Sequence, residues 1–163
     1  MSHATQSWGP SPLRGAMSVV YGFGETAVNE GGRVIMFDNP TSNPNFGQNK
    51  PSQFGITVMD CASGEKRIVD VYDLKEAGAL SRKSATRVFS KSEDGKFLPL
   101  NSALINKDDK IVITMDGLSQ DKDFTLMVEY IVQKLKHVLG YNVDIEFTAS
   151  YDGEKFTINL VQC

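Results

Sequence analysis

Residues 122–139 read KDFTLMVEYIVQKLKHVL and contain the strongest structural signal in the chain. Their apolar side chains recur at helical spacing, and the stripe comprises Phe124, Met127, Val128, Ile131, Leu135 and Val138. Asp121 or Asp123 can cap the start of the helix, and Gly140 can supply the left-handed residue that commonly ends one. The sequence therefore predicts one long amphipathic helix in the C-terminal half.

Short β-type runs separated by turn signals precede and follow this helix. The predicted strands cover residues 17–23, 33–38, 53–60, 66–72, 84–90, 96–105, 109–115, 142–150 and 155–161. Residues 73–80 predict a short helix with Asp73 as its N-cap. About seven to nine antiparallel strands, packed with one long and one short helix, give an α+β fold, because a parallel sheet needs a crossover between its strands.

The 163 residues suit one domain with a single hydrophobic core. Residues 1–16 have no hydrophobic periodicity and place Gly, Pro and Ser around Trp8, which predicts a flexible N-terminal arm. Residues 17–163 are then expected to form a single α+β binding domain. A polar loop with two prolines lies at residues 39–50, and its role stays open.

Several protein classes lack support in the sequence. No apolar run approaches the roughly 20 residues of a membrane span, and the N-terminus has no secretory signal pattern. Cys61 and Cys163 suit a reducing compartment, so we expect an intracellular protein, cytoplasmic or associated with a nucleoid or nucleus. Metal-ligand spacing and catalytic motifs are both missing, so we expect no enzyme, no cofactor and no metal.

Charge is unevenly distributed along the chain. The net charge is −3, yet residues 61–110 contain ten Lys and Arg against eight Asp and Glu. Residues 111–163 contain only four basic side chains against eight acidic ones. Such asymmetry can mark a binding face for an anionic partner in the middle of the chain.

Cations and aromatic rings are interleaved within that basic segment. The candidate nucleic-acid-binding residues are Arg82, Lys83, Arg87, Phe89, Lys91, Lys96 and Phe97. In a strand, Arg87 and Phe89 would share one face, where a cation can hold a phosphate and a ring can stack on a base, worth about 1–3 kcal/mol. The same pattern also fits a solvated sheet edge, in which lysines discourage strand pairing and the rings belong to the core.

The order of elements from residue 66 to residue 141 resembles the C-terminal half of the Whirly family of single-stranded nucleic-acid-binding proteins. Residues 71–80 (VYDLKEAGAL) are similar to the family's short helical turn, and residues 95–106 (GKFLPLNSALIN) to its G-[KR]-F strand and N-x-x-[LI]-x-N motif. Residues 110–114 (KIVIT) resemble its next strand, and residues 137–141 (HVLGY) the end of its long helix.

Two regions depart from the family pattern. Residues 30–35 (EGGRVI) do not reproduce the family's K-G-K-A-A-L stretch, and the predicted hairpin at 142–161 is an addition. The resemblance implies two packed antiparallel sheets, homo-oligomers, and nucleic acid lying along strand edges. A divergent, bacteriophage-encoded relative is expected to bind RNA or DNA.

The sequence thus predicts a non-enzymatic protein that binds single-stranded RNA or DNA largely independently of sequence, with no membrane partner. The alternative is a structural or assembly protein, such as a virion component, whose β edges pair with copies of itself. That alternative accounts directly for the acidic net charge.

Overall fold

The computed structural model describes residues 2–6, 15–23, 32–37, 51–102 and 104–163. The strands are β1 Ser2–Gln6, β2 Ala16–Val20, β3 Arg33–Met36, β4 Gly55–Met59, β5 Lys66–Asp70, β6 Phe89–Glu93, β7 Lys96–Pro99, β8 Ile111–Ile113, β9 Glu146–Tyr151 and β10 Phe156–Gln162. The helices are α1 Val71–Glu76, α2 Ala85–Val88, α3 Asp116–Ser119 and α4 Lys122–Leu139. Trp8 and the loop at 39–50 lie outside the described residues.

The strands form three antiparallel sheets. The largest has the order β10-β9-β1-β2-β3, the second pairs β4 with β5, and the third has the order β7-β6-β8. With one long helix and three short ones among the described residues, this arrangement confirms the predicted α+β class. The structure differs from the prediction in detail, because its described residues form ten strands and three short helices where the sequence predicts about seven to nine strands and one short helix.

Gln53, which is buried, joins the three sheets through its side-chain amide and its backbone. Its amide accepts a hydrogen bond from the backbone N–H of Tyr21, just after β2, and donates to the Tyr21 carbonyl, both at 2.8 Å. The same amide nitrogen donates to the carbonyl of Gly55 in β4. The backbone of Gln53 forms a β-bridge with Ile113 in β8. One residue therefore ties together elements that are far apart in sequence.

The N-terminal residues differ from the expected flexible arm. Ser2–Gln6 form β1, which lies between β2 and β9 with His3 opposite both Val19 and Phe147. The stretch SHATQ has little intrinsic strand preference. Hydrogen bonding to β2 on one side and β9 on the other holds these residues in an extended strand, although their local sequence does not favour one. The prediction of a flexible arm is therefore wrong for residues 2–6.

Helix α4 begins and ends where the sequence predicts. The Asp121 carboxylate accepts a hydrogen bond from the Phe124 N–H at 3.1 Å, so Asp121, rather than Asp123, is the N-cap. Gly140 ends the helix with a φ of 80°, a left-handed conformation that favours glycine. The helix packs its first turns on the five-stranded sheet, where the ring centroids of Phe124 and Phe156 lie 4.8 Å apart.

Burial of the α4 stripe decreases along the helix. Phe124 and Val128 are completely buried, whereas Ile131 and Leu135 are only partly buried against the core. Val138 is 68% exposed, although the sequence predicts it to be part of the apolar stripe. Periodicity identifies which face of a helix is apolar, but it does not indicate how far the core extends beneath it.

Residues 84–90 form a helical turn followed by a strand, not the single strand that alternation predicts. Ala85 and Val88 are both fully buried, and their i, i+3 spacing puts them on one side of a helical turn. The Val88 carbonyl accepts hydrogen bonds from the N–H groups of Thr114 and Met115. Gly117 of α3 lies so close to α2 that a Cβ there would be 2.8 Å from the Cα of Arg87. Tertiary packing thus determines the local conformation.

The short helix α1 starts earlier than predicted. It spans Val71–Glu76, where the sequence predicts a helix over 73–80. Its N-cap is Asp70, whose carboxylate accepts a hydrogen bond from the Tyr72 N–H at 2.7 Å, so Asp73 lies inside the first turn. The helix therefore begins two residues earlier than predicted and includes Tyr72, whose ring is exposed.

Candidate nucleic-acid interface

The seven predicted binding residues occupy different environments. Arg82, Lys83 and Lys96 are exposed, Arg87, Lys91 and Phe97 are partly exposed, and Phe89 is buried. Their elements also differ, since Arg82 and Lys83 precede α2, Arg87 lies on α2, and the others belong to the β6–β7 hairpin. They do not line a single strand face.

Phe89 belongs to the hydrophobic core, so the prediction that it stacks on bases is wrong for this conformation. Only 2% of its surface is exposed, and its ring meets Tyr21 edge-to-face with centroids 5.5 Å apart. Phe89 lies on β6, the central strand of its sheet, where it pairs with Ile113 of β8. Alternation indicates which face a side chain shares, but not whether that face is covered.

Arg87 connects three elements of the fold. Its Nε donates a hydrogen bond to the Asp121 carboxylate at 2.8 Å, and its guanidinium carbon lies 3.9 Å from the ring centroid of Tyr151. Asp121 simultaneously caps α4. The positive charge of Arg87 is therefore already balanced, and its first role is to join α2, α4 and β9.

Lys91 is also paired with acidic groups. Its Nζ lies 3.3 Å from Asp109 and 4.0 Å from Glu93. A hydrogen bond from the backbone N–H of Asn106 lowers the pKa of Asp109, and Lys91 contributes less in the same direction. In the β6–β7 register Lys91 lies opposite Leu98, so it shares no face with Phe97, which lies opposite Ser92.

Of the predicted cations, Lys83 and Arg87 approach the same turn between β9 and β10. A Cβ at Gly153 would lie 3.9 Å from the side-chain carbons of Lys83, while Arg87 stacks on Tyr151. Lys96 is opposite Glu93 at the far end of the β6–β7 hairpin. The predicted set is therefore divided between two parts of the molecule.

A surface beside α1 combines cations with an exposed aromatic ring, and we call it the α1 surface. It comprises Tyr72, Lys75, Gly78, Leu80, Arg82, Leu104 and Ile105. The Nζ of Lys75 lies 5.8 Å from the ring centroid of Tyr72, which is 59% exposed. Lys75 and Arg82 line one shallow depression with a volume of about 120 Å³.

Lys75 is held in place by the loop that follows β7. Its Nζ donates hydrogen bonds to the carbonyl of Lys107 and to that of Asp109, the latter at 2.6 Å. Both partners are backbone carbonyl groups, and Lys75 also interacts electrostatically with the Asp109 carboxylate. Sequence reasoning missed Tyr72 and Lys75, because it placed Tyr72 at the end of a predicted strand over 66–72, and only the observed start of α1 gives the two residues i, i+3 spacing on one helix.

A buried ion pair joins β3 to α3. Arg33, which is 2% exposed, contacts the Asp116 carboxylate. Burial lowers the pKa of Arg33 and raises the pKa of Asp116, while the attraction between the two charges opposes both shifts. The hydroxyl oxygen of Thr114 also accepts a hydrogen bond from the backbone N–H of Asp116, at 3.4 Å. We assign this pair a structural role.

Two kinds of feature are absent from the part of the chain that the structure describes. No cluster of three or more His, Cys, Asp or Glu side chains there could hold a metal ion. None of the described helices has both the length and the apolar character needed to cross a bilayer.

Comparison of the chain with models of known protein families, with curated proteins and with solved structures finds no match. The resemblance to the Whirly family therefore stays a prediction from the sequence.

Proposed function

We propose that this protein binds single-stranded RNA or DNA through the α1 surface, as a binding protein and not as an enzyme. One observation carries the proposal: an exposed tyrosine ring, Tyr72, lies beside Lys75, and Lys75 shares a depression with Arg82. An aromatic ring can stack on any base, and flanking cations neutralise the adjacent phosphates. Together they recognise nucleic acid without reading its sequence.

The size of the depression supports this type of ligand. Its volume of about 120 Å³ is well below the roughly 300–1,000 Å³ typical of sites that enclose a small molecule. A shallow, partly apolar hollow beside cations instead suits one base or phosphate of a chain that continues across the surface. Duplex DNA offers no free base to such a hollow, since its bases are stacked and paired.

The other exposed predicted cations extend the proposed contact. Lys83 follows Arg82 directly and is exposed, and its side chain extends toward the turn between β9 and β10, so it can neutralise a phosphate where the bound strand leaves the α1 surface in that direction. Lys96 and the partly exposed Phe97 lie on the β6–β7 hairpin and are secondary candidates. Asp73 and Glu76 of α1 are exposed too, which should make binding moderate and sensitive to salt.

The alternative, a structural protein that assembles with copies of itself, also has a specific observation in its favour. Helix α4 exposes Leu126 and Tyr130 by 59% and 67%, and β10 exposes Val161 by 63%. Apolar side chains grouped on a surface often mark an association site. Self-association and nucleic-acid binding use different residues and can coexist.

The test is fluorescence anisotropy with labelled single-stranded DNA, single-stranded RNA and duplex of equal length, at several salt concentrations. We expect both single strands to bind more tightly than the duplex. For Arg82→Gln/Lys83→Gln, the slope of log K against log salt should fall in magnitude by about 1.4, since each single-strand phosphate contact contributes about 0.7.

The matched control is Lys134→Gln, which removes an exposed cation of α4 and should leave the slope unchanged. Tyr72→Leu tests stacking separately from charge, because leucine keeps apolar volume but cannot stack on a base. Equal affinity for duplex, or a slope that is the same in the double variant and the control, would refute the proposed function.

A further inference from the structure

We propose that β10 pairs antiparallel with β10 of a second copy of this chain, joining two five-stranded sheets into one. The starting observation is the position of β10 at the end of its sheet, with β9 on one side only. Among the described residues, no strand pairs with its outer side. Alternate backbone N–H and C=O groups of an edge strand point outward and are available for pairing.

The composition of β10 distinguishes it from the other edges. Its seven residues, FTINLVQ, include no charge, proline or glycine, and the strand is longer than the average of about 5–6. In contrast, β7 has four residues, begins at Lys96 and ends at Pro99. Strand β5 contains Lys66, Arg67 and Asp70. Charges, proline and short length normally protect edges from pairing, and β10 has none of these.

A β-bulge limits the region that can pair regularly. The register with β9 shifts between Leu160 and Gln162, so the uninterrupted segment is 156–160. Ile158 is the midpoint of that segment. A two-fold axis at Ile158 therefore gives the most complete antiparallel pairing.

This register matches side chains by polarity. It places Phe156 opposite Leu160 of the second copy and Ile158 opposite itself, all on the sheet face on which Phe156 is buried and Ile158 partly buried. On the other face, the exposed Thr157 lies opposite Asn159 of the second copy, a pair that can exchange hydrogen bonds. No like charges meet, so the strand is complementary to itself, as a two-fold interface requires.

The same arrangement covers apolar surface that one copy leaves open. Leu160 is 47% exposed, and the register brings it beside Phe156 of the second copy, which contacts Phe124 of α4 in that copy. An axis perpendicular to the sheet keeps both α4 helices on one face. The partner that best complements the β10 edge is therefore the same edge of a second copy of this chain.

The experiment is sedimentation velocity of the full chain from about 1 to about 100 μM, where a dimer of moderate affinity becomes populated. We expect a mass near twice 17.9 kDa at the higher concentrations. Thr157→Lys/Asn159→Lys places lysines opposite lysines at both positions and should give single chains. Ser150→Lys adds a cation to the same exposed face on β9, which is not an edge, and should remain dimeric.

A charge-swap experiment then identifies the occupant. Thr157→Glu/Asn159→Glu should also be monomeric, but mixing it with the lysine variant should restore a dimer containing one chain of each. A wild type that remains a single chain at the highest concentration overturns the proposal. So does a dimer that persists in both variants, or a mixture that does not associate. Nucleic-acid binding is measured separately and does not affect these outcomes.

Discussion

The α1 surface and the outer edge of β10 are both exposed, yet they present opposite chemistry. The first groups Lys75 and Arg82 with the ring of Tyr72, and it lies in the basic middle segment of the sequence. The second is an uncharged strand with exposed leucine and valine side chains. Cations beside a ring suit an anionic chain with unstacked bases, whereas an uncharged edge suits an identical strand.

This comparison shows why the net charge of −3 is a poor guide to partners. The total averages over regions that differ in sign and polarity, and binding depends on the local arrangement. The set of exposed groups on each surface therefore matters more than the net charge of the whole chain.

The largest expected effect is the loss of stability on truncating Phe89, a core residue that should not contribute to nucleic-acid binding. Because this ring is buried, Phe89→Ala should lower the free energy of unfolding by about 3–5 kcal/mol through lost transfer energy and a cavity. Phe89→Leu should cost less and leave affinity for single strands unchanged. Denaturant unfolding measures the stability, and fluorescence anisotropy measures the affinity for single strands. Loss of affinity in a folded Phe89→Leu variant would show that the ring does contact nucleic acid.

Arg87 should behave as a structural residue rather than a phosphate contact. Its charged hydrogen bond to Asp121 and its contact with the Tyr151 ring predict a loss of about 1–3 kcal/mol in Arg87→Gln. A double-mutant cycle with Asp121→Asn should show coupling between the two side chains. If Arg87→Gln retains full stability but loses nucleic acid, the assignment is reversed.

Along α4, the cost of truncation should decrease toward the C-terminal end. Leu135 is partly buried, so Leu135→Ala should cost less than the about 2–5 kcal/mol of a fully buried leucine. Val138→Ala should change the free energy of unfolding by no more than about 0.5 kcal/mol, because the side chain is 68% exposed. Equal costs at both sites would indicate that the end of α4 is covered by a partner.

The smallest effect concerns acid stability near the α1 surface. The pKa of Asp109 is lowered from 3.8 by the hydrogen bond from the Asn106 N–H, so the folded state favours the carboxylate. Its contribution is fully present above the ordinary pKa and is lost as the pH falls toward the lowered value. Thermal melts of Asp109→Asn should therefore decline less steeply in acid than those of wild type, and parallel profiles would contradict this.

The sequence predicts the long helix and its caps well, because they depend on local periodicity, on the Asp121 carboxylate and on the left-handed backbone conformation that Gly140 adopts. It fails at β1 and at residues 84–90, where pairing and packing with distant segments override weak local preferences. No local rule could have revealed that Ser2–Gln6 lie between two other strands.

The candidate site follows the same pattern. Composition draws attention to the middle segment, and Arg82 belongs to both the predicted set and the proposed α1 surface. Burial of Phe89 and the acidic partners of Arg87 and Lys91 depend on tertiary contacts, which alternation along a strand cannot represent. Tyr72 was missed because the sequence places it at the end of a predicted strand, whereas the structure places it on α1.

The most direct test of the central claim is the affinity of Tyr72→Leu for labelled single-stranded oligonucleotide, compared with wild type and Lys134→Gln in the same buffer. Loss of one stacked base should weaken binding by about 1–3 kcal/mol, or roughly five- to 150-fold, while the salt slope is retained. The control should bind as wild type does. If Tyr72→Leu binds as tightly as wild type, or if wild type shows no single-strand affinity near physiological salt, the α1 surface is not a nucleic-acid interface.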